Sequence, residues 1–165
     1  MIEVIKKVYL AGYIISNLFT IYLLLTSWKQ PATGRLIFAI IFLCACVTNW
    51  TMAINYPEDY LDFADMSVFG WYNNFILGWF SKHILLTVGF IATTQALIGI
   101  SILLNGWLYK LAVIGGTLFF LAIIPLVVRT AFPGSIIMAI ALLLLFNKGK
   151  RRISFHHFSS GKYTT

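Results

Sequence analysis

Five long apolar runs, separated by short polar or proline–glycine breaks, set the pattern of this chain. Val8 to Trp28 is bounded by Lys6 and Lys7 before it and by Lys29, Gln30 and Pro31 after it. Leu36 to Ile54 follows the turn signal Pro31–Gly34. Ile84 to Leu104 ends at Asn105 and Gly106. Leu108 to Val128 carries Pro125 and leads to Arg129. Ala131 to Phe146 closes at Asn147, Lys148 and Gly149. The runs are continuous rather than alternating, as expected of helices and not of barrel strands. A helix needs about 20 apolar residues to cross hydrocarbon, with roughly 17 as the lower end, so the fifth run is marginal. Joined into one helix at about 1.5 Å per residue, Leu108 to Phe146 would approach twice the thickness of the hydrocarbon core. Pro125, Arg129, Pro133 and Gly134 give that stretch a break, and two spans joined by a tight hairpin fit better.

The expected fold is therefore all-α, a polytopic transmembrane helical bundle of about five spans. They cover residues 8–28, 36–54, 84–104, 108–128 and 131–146 in one domain over 1–147. A basic tail follows over 148–165. Composition points the same way. Of 165 residues, 60% are hydrophobic and 10% charged, and mean hydropathy is +0.88. A soluble domain carries about 25% charged residues, and a chain this size would bury only about 70% of its surface in water. The first run shares the charged start and apolar core of a signal peptide. It exceeds the usual length of about 7–15 residues, and no A-x-A-like site follows it, so a retained span is expected.

The net charge of +7 does not signal nucleic acid, because no base-reading motif accompanies it. Five of the twelve Lys and Arg residues lie beyond Phe146, where basic residues hold a terminus in the cytoplasm and attract anionic lipid. Counting back from a cytoplasmic C-terminus through five spans puts Lys29, Arg35, Lys110, Lys148, Lys150, Arg151, Arg152 and Lys162 inside. Lys6, Lys7, Lys82 and Arg129 fall outside. The excess favours an N-terminus outside and a C-terminus in the cytoplasm, with Lys6 and Lys7 pulling the other way.

The connection from Tyr56 to Lys82 begins with acids at Glu58, Asp59, Asp62 and Asp65 and then turns aromatic. If Val68 to Lys82 is helical, Phe69, Tyr72, Ile76, Trp79 and Phe80 share a face. Trp71, Tyr72 and Trp79 are candidate interfacial anchors, since such rings satisfy an apolar body and a polar edge at the lipid boundary. Two placements stand: an aromatic helix lying on the outer leaflet or over the bundle as a lid, and an ordinary connection with anchoring rings. The acids lack the spacing of a calcium loop and read as a solvated outer surface.

Polar residues within the spans are expected to face inward, because hydrocarbon penalises them. Tyr9, Tyr13, Asn17 and Thr20 recur along the first span; Cys44, Thr48, Thr51 and Asn55 along the second; Thr87, Thr94 and Ser101, with Gln95 beside them, along the third. Tyr13, Asn17, Thr48, Asn55, Thr94 and Gln95 are the candidate polar interior. They would form either helix-to-helix hydrogen bonds or a polar cavity, and the bonds are the plainer reading. Arg129, between Pro125 and Pro133, is a candidate headgroup or anion contact if its hairpin dips into the membrane, and snorkels if it does not. His83 has no second ligand at metal spacing, and Cys44 and Cys46 point apart on a helix. No phosphate loop, nucleophile elbow, zinc-helix motif or pair of intramembrane acids is present. No catalytic or metal residue emerges.

From Trp71 onward the chain resembles the DoxX-like family of small bacterial membrane proteins. The resemblance rests on Trp79 with the span opening at His83, on "TTQALIGISILLNGWLYKLAVIGGTLFFLAIIPL" from Thr93 to Leu126, and on "AFPGSIIMAIALLLLF" from Ala131 to Phe146. It implies a helical bundle, usually of four spans, in the bacterial inner membrane. One namesake belongs to a membrane thiosulfate:quinone oxidoreductase, so a quinone enters as a cofactor by analogy alone. The extra N-terminal span and the long acidic–aromatic connection depart from the family layout. The leading expectation is a non-catalytic membrane protein, a subunit of a larger assembly or a binder of a lipid-like molecule. Its partners are the bilayer and further membrane subunits or a second copy. A quinone-linked redox component comes second, and a small transporter or channel third.

Overall fold

The computed structural model describes residues 2–66, 69–124 and 133–148, which are helical apart from short connections. Among them no strand occurs. The five longer helices are α1 (Ile2–Lys29), α2 (Pro31–Asn55), α5 (Ile84–Ser101), α6 (Trp107–Ala122) and α7 (Gly134–Lys148). Between α2 and α5 lie a 3-10 turn (Pro57–Leu61), α3 (Asp62–Met66), α4 (Gly70–Phe75) and a π-helical turn (Ile76–Phe80).

Among the described residues, three helical stretches are long and apolar enough to cross a membrane: Leu10–Lys29, Pro31–Asn55 and Ile84–Ser101. The apolar helices Trp107–Ala122 and Gly134–Phe146 are shorter. Helix α2 starts five residues before the apolar run does, because Pro31 occupies its first turn, where a missing N–H costs nothing. Helix α5 stops at Ser101, short of Leu104, and the chain turns through Gly106 at φ +80°, a conformation open to glycine. The hairpin expected around Pro125 and Arg129 lies outside the described residues. So does the basic tail beyond Lys148.

The helices close a ring. α2 packs on α5, α5 on α6, α6 on α7, α7 on α1, and α1 on α2. Leu23, Phe38, Phe42, Val113, Leu142 and Leu145 are buried at its centre, and the rings of Phe42 and Phe120 meet at 5.4 Å. The buried residues of α2 are Gly34, Arg35, Phe38, Ala39, Phe42 and Ala53, steps of three and four that keep one stripe inward. The opposite surface is apolar too. Phe90 is 74% exposed, and Leu86, Val47 and Ile54 are also bare.

A second, smaller core joins the connecting segment to one end of the ring. Ala53, Ile84 and Val88 are buried there beneath Tyr60, Leu61 and Phe80. Helix α4 and the π-helical turn cover residues 70–80, part of the stretch from Val68 to Lys82, and the expected single face divides. Ile76 is buried and Tyr72 and Phe80 are half-buried, while Phe69 and Trp79 stay exposed. The cause is the π-helical turn, whose wider i→i+5 closure breaks the 3.6-residue period before Trp79.

Candidate functional site

Under the connecting segment lies a cavity of about 300 Å³, at the small end of the range for ligand sites. Tyr72, Phe75 and Phe80 come from the segment, Val88 and Ile91 from α5, and Phe119 and Ile123 from α6. The aromatic side chains are packed on one another, with Phe75 and Phe80 at 6.1 Å and Tyr60 and Phe80 at 6.4 Å. Most of the wall is hydrocarbon.

The polar exceptions are organised. Tyr60 Oη donates to Asn49 Oδ1 at 2.9 Å, and Asn49 Nδ2 donates to Gln95 Oε1 at 2.8 Å. This relay runs from the connecting segment through α2 into α5. Asn49 and Tyr60 line the cavity. Burial pushes the phenols of Tyr60 and Tyr72 above their ordinary value, so both stay neutral hydrogen-bonding groups. Asn73 Nδ2 donates to Ala64 O at 3.1 Å and ties α4 to α3.

Ile91 and Phe119 also line a second cavity of about 270 Å³, with Phe90, Thr94, Gln95, Ile98, Gly115 and Leu118. Two chambers thus share a wall along the seam of α5 and α6. A third space of about 210 Å³ lies between α1, α6 and α7 and is lined by Ser16, Thr20, Gly134 and Ser135. An apolar chamber with amide and phenol groups can hold a molecule and orient it. Among the described residues, no group of His, Cys, Asp or Glu could hold a metal ion.

The six residues expected to form one polar interior are dispersed. Thr94 and Gln95 share the second chamber. Asn17 packs near Gly134, beside the third, and donates through Nδ2 to Tyr13 O at 2.9 Å. Tyr13 is 41% exposed. Thr48 and Asn55 lie on the outer side of α2, where Asn55 Nδ2 donates to Thr51 O at 2.9 Å. The inward stripe of α2 continues through Asn49, one position away from the expected Thr48. Of the candidate anchors, Tyr72 turns into the first cavity while Trp71 and Trp79 remain exposed. Trp79 stacks on His83 at 4.6 Å. Arg129 lies outside the described residues.

Asn49, Tyr60 and Arg35 were missed as site or core residues. Asn49 and Tyr60 gave no local signal, since the relay joins positions 46 residues apart. Arg35 reads in the sequence as a topology charge, yet it is 1% exposed. No protein-family model, no characterised protein and no solved structure matches the chain.

Proposed function

We propose that this chain is a five-span membrane protein that holds a lipid-like small molecule in the aromatic cavity beneath its connecting segment, without transforming it. The cavity carries the proposal: an apolar chamber of about 300 Å³ whose polar groups are the neutral side chains of Asn49, Tyr60, Tyr72 and Thr87. Neutral donors and acceptors set in hydrocarbon walls suit an apolar body with one or two polar atoms. The exposed apolar surface of α1, α2 and α5 supports lipid as the surrounding medium, since soluble monomers rarely leave such large apolar patches uncovered.

In this reading α6 and α7 also cross, shortened to 16 and 15 residues. The N-terminus is outside and the Lys148–Arg152 cluster is in the cytoplasm of a bacterial cell. Trp71 and Trp79, bare on the outer side of α4 and the π turn, lie at the outer leaflet's boundary. The DoxX-like resemblance of the second half is the reason to include quinones among the ligands tried.

The test is extraction of purified full-length protein with organic solvent and mass analysis of what it retains. The proposal expects one apolar small molecule in near-stoichiometric amount, lost when Val88→Phe fills the cavity. A chain that folds but carries nothing above the detergent background contradicts it. Stable recovery with other membrane polypeptides and no small molecule would favour the subunit reading instead.

A further inference from the structure

Gln95 is 1% exposed and lines the second chamber. A carboxamide offers two N–H donors and a carbonyl acceptor. Its oxygen is taken by Asn49 Nδ2 at 2.8 Å, while Nε2 has no acceptor among the described residues. The direction of the relay fixes which end is left over. Tyr60 donates to the oxygen of Asn49, Asn49 therefore presents its nitrogen to Gln95, and Gln95 is left with spare N–H groups.

In water such a group would bond to solvent. In hydrocarbon it has no such partner, and a buried donor without an acceptor is strongly disfavoured. Gln95 lies about 16 Å from the Ile84 end of α5 and about 9 Å from its Ser101 end, at about 1.5 Å per residue. That position lies inside the span, nearer its Ser101 end. The ester carbonyls of a phospholipid, anchored at the headgroup level, do not lie at that depth.

We infer that the α5–α6 chamber receives the carbonyl oxygen of an apolar molecule dissolved in the bilayer, and that Gln95 Nε2 is the donor that reads it. This rests on the cavity reading above and names the ligand class: a hydrocarbon-soluble ketone, quinone or acyl ester. Ile91 and Phe119 line both chambers, so the same molecule extends its body against the aromatic wall. The chamber also places Phe90 and Leu118, which are bare to lipid, at its rim, and entry is sideways from the bilayer.

The experiment uses the full chain in detergent with three probes: an alkyl naphthoquinone, a diacylglycerol, and an alkylnaphthalene without carbonyls. Binding is followed by tryptophan fluorescence, and hydrogen bonding by the infrared carbonyl stretch. Binding of a carbonyl probe with its stretch moved to lower frequency supports the inference. Gln95→Met should then weaken that probe about tenfold, abolish the shift and leave the alkylnaphthalene unaffected. Binding of the quinone alone identifies a ring ketone; binding of the glyceride alone identifies an ester. An unshifted carbonyl on the native chain, or equal affinity in Gln95→Met, overturns the inference and leaves the cavity reading intact. No binding by any of the three overturns both. A dimer that Gln95→Met separates, with no probe shifted, would mean that a second copy supplies the acceptor, and also overturns it. Should Gln95→Met fail to fold, the stretch on the native chain still decides.

Discussion

The guanidinium carbon of Arg35 sits 4.3 Å from the centroid of the Tyr109 ring, joining the start of α2 to the start of α6. Arg35 Nε donates to Ile102 O at 2.9 Å, and Nη2 donates to Leu104 O. These carbonyls lie just past the end of α5, where helix geometry leaves acceptors unpaired and the dipole is negative. Tyr109 Oη in turn donates to Leu145 O at 2.7 Å. One cation and one phenol thus fasten α2, α5, α6 and α7 at the same end of the ring.

Arg35→Ala should therefore destabilise the bundle by on the order of 3 kcal/mol, through two charge-assisted hydrogen bonds and a cation–π contact. Thermal unfolding in detergent measures it. Arg35→Lys should recover only part of the loss, because an ammonium cannot present the flat fork that reaches both carbonyls. Equal stability of the Ala variant and the native chain would contradict this role.

Gly34 holds the α1–α2 hairpin closed. A Cβ there would lie 2.9 Å from both Cα and Oγ of Ser27, and the backbone atom cannot step aside without moving a helix. Gly34→Ala should lower stability by about 1–3 kcal/mol. Gly12→Ala is the control, since nothing lies within 4 Å of its added carbon, and it should be neutral or slightly stabilising.

Tyr60 makes the polar relay sensitive to high pH. Burial raises its phenol above the ordinary value near 10, so the fold favours the neutral form. Its contribution is fully present below that ordinary value and is lost as the pH rises above it and the unfolded phenol ionises first. Tyr60→Phe should cost about 1 kcal/mol at neutral pH and remove this tyrosine's part of the alkaline decline. Ultraviolet titration of the native chain should show at least one phenol ionising later than free tyrosine.

The helices were legible in the sequence because hydrophobic continuity and the Pro31 and Gly106 breaks act locally. The cavity was not. Its walls come from four separate parts of the chain, and its polar relay couples Tyr60, Asn49 and Gln95 across ring positions that no periodicity links. Gln95 was visible as a polar residue in an apolar run; Asn49 was passed over because the stripe drawn through Thr48 and Asn55 is offset from the inward one through Phe38 and Phe42. Arg35 misled for a different reason. A cation at a helix end usually reaches water, and the carbonyls past the end of α5 together with the Tyr109 ring explain why this one is buried.

In the proposed five-span reading the termini lie on opposite sides. Reporter fusions at residue 1 and after Lys148 should report an external N-terminus and a cytoplasmic C-terminus, and reversing the charge of Lys148, Lys150, Arg151 and Arg152 should weaken that bias. Both reporters on one side would remove a span from the account.

Ile91 faces both chambers, and Ile91→Trp would fill the seam while adding only apolar volume. The most direct measurement is the amount of apolar small molecule retained per chain by purified native protein and by Ile91→Trp, with helical content and thermal unfolding recorded alongside. The account predicts near-stoichiometric retention in the native chain and at least a tenfold drop in a folded variant. Equal retention by the two would show that whatever co-purifies sits elsewhere, and the cavity would lose its assigned role.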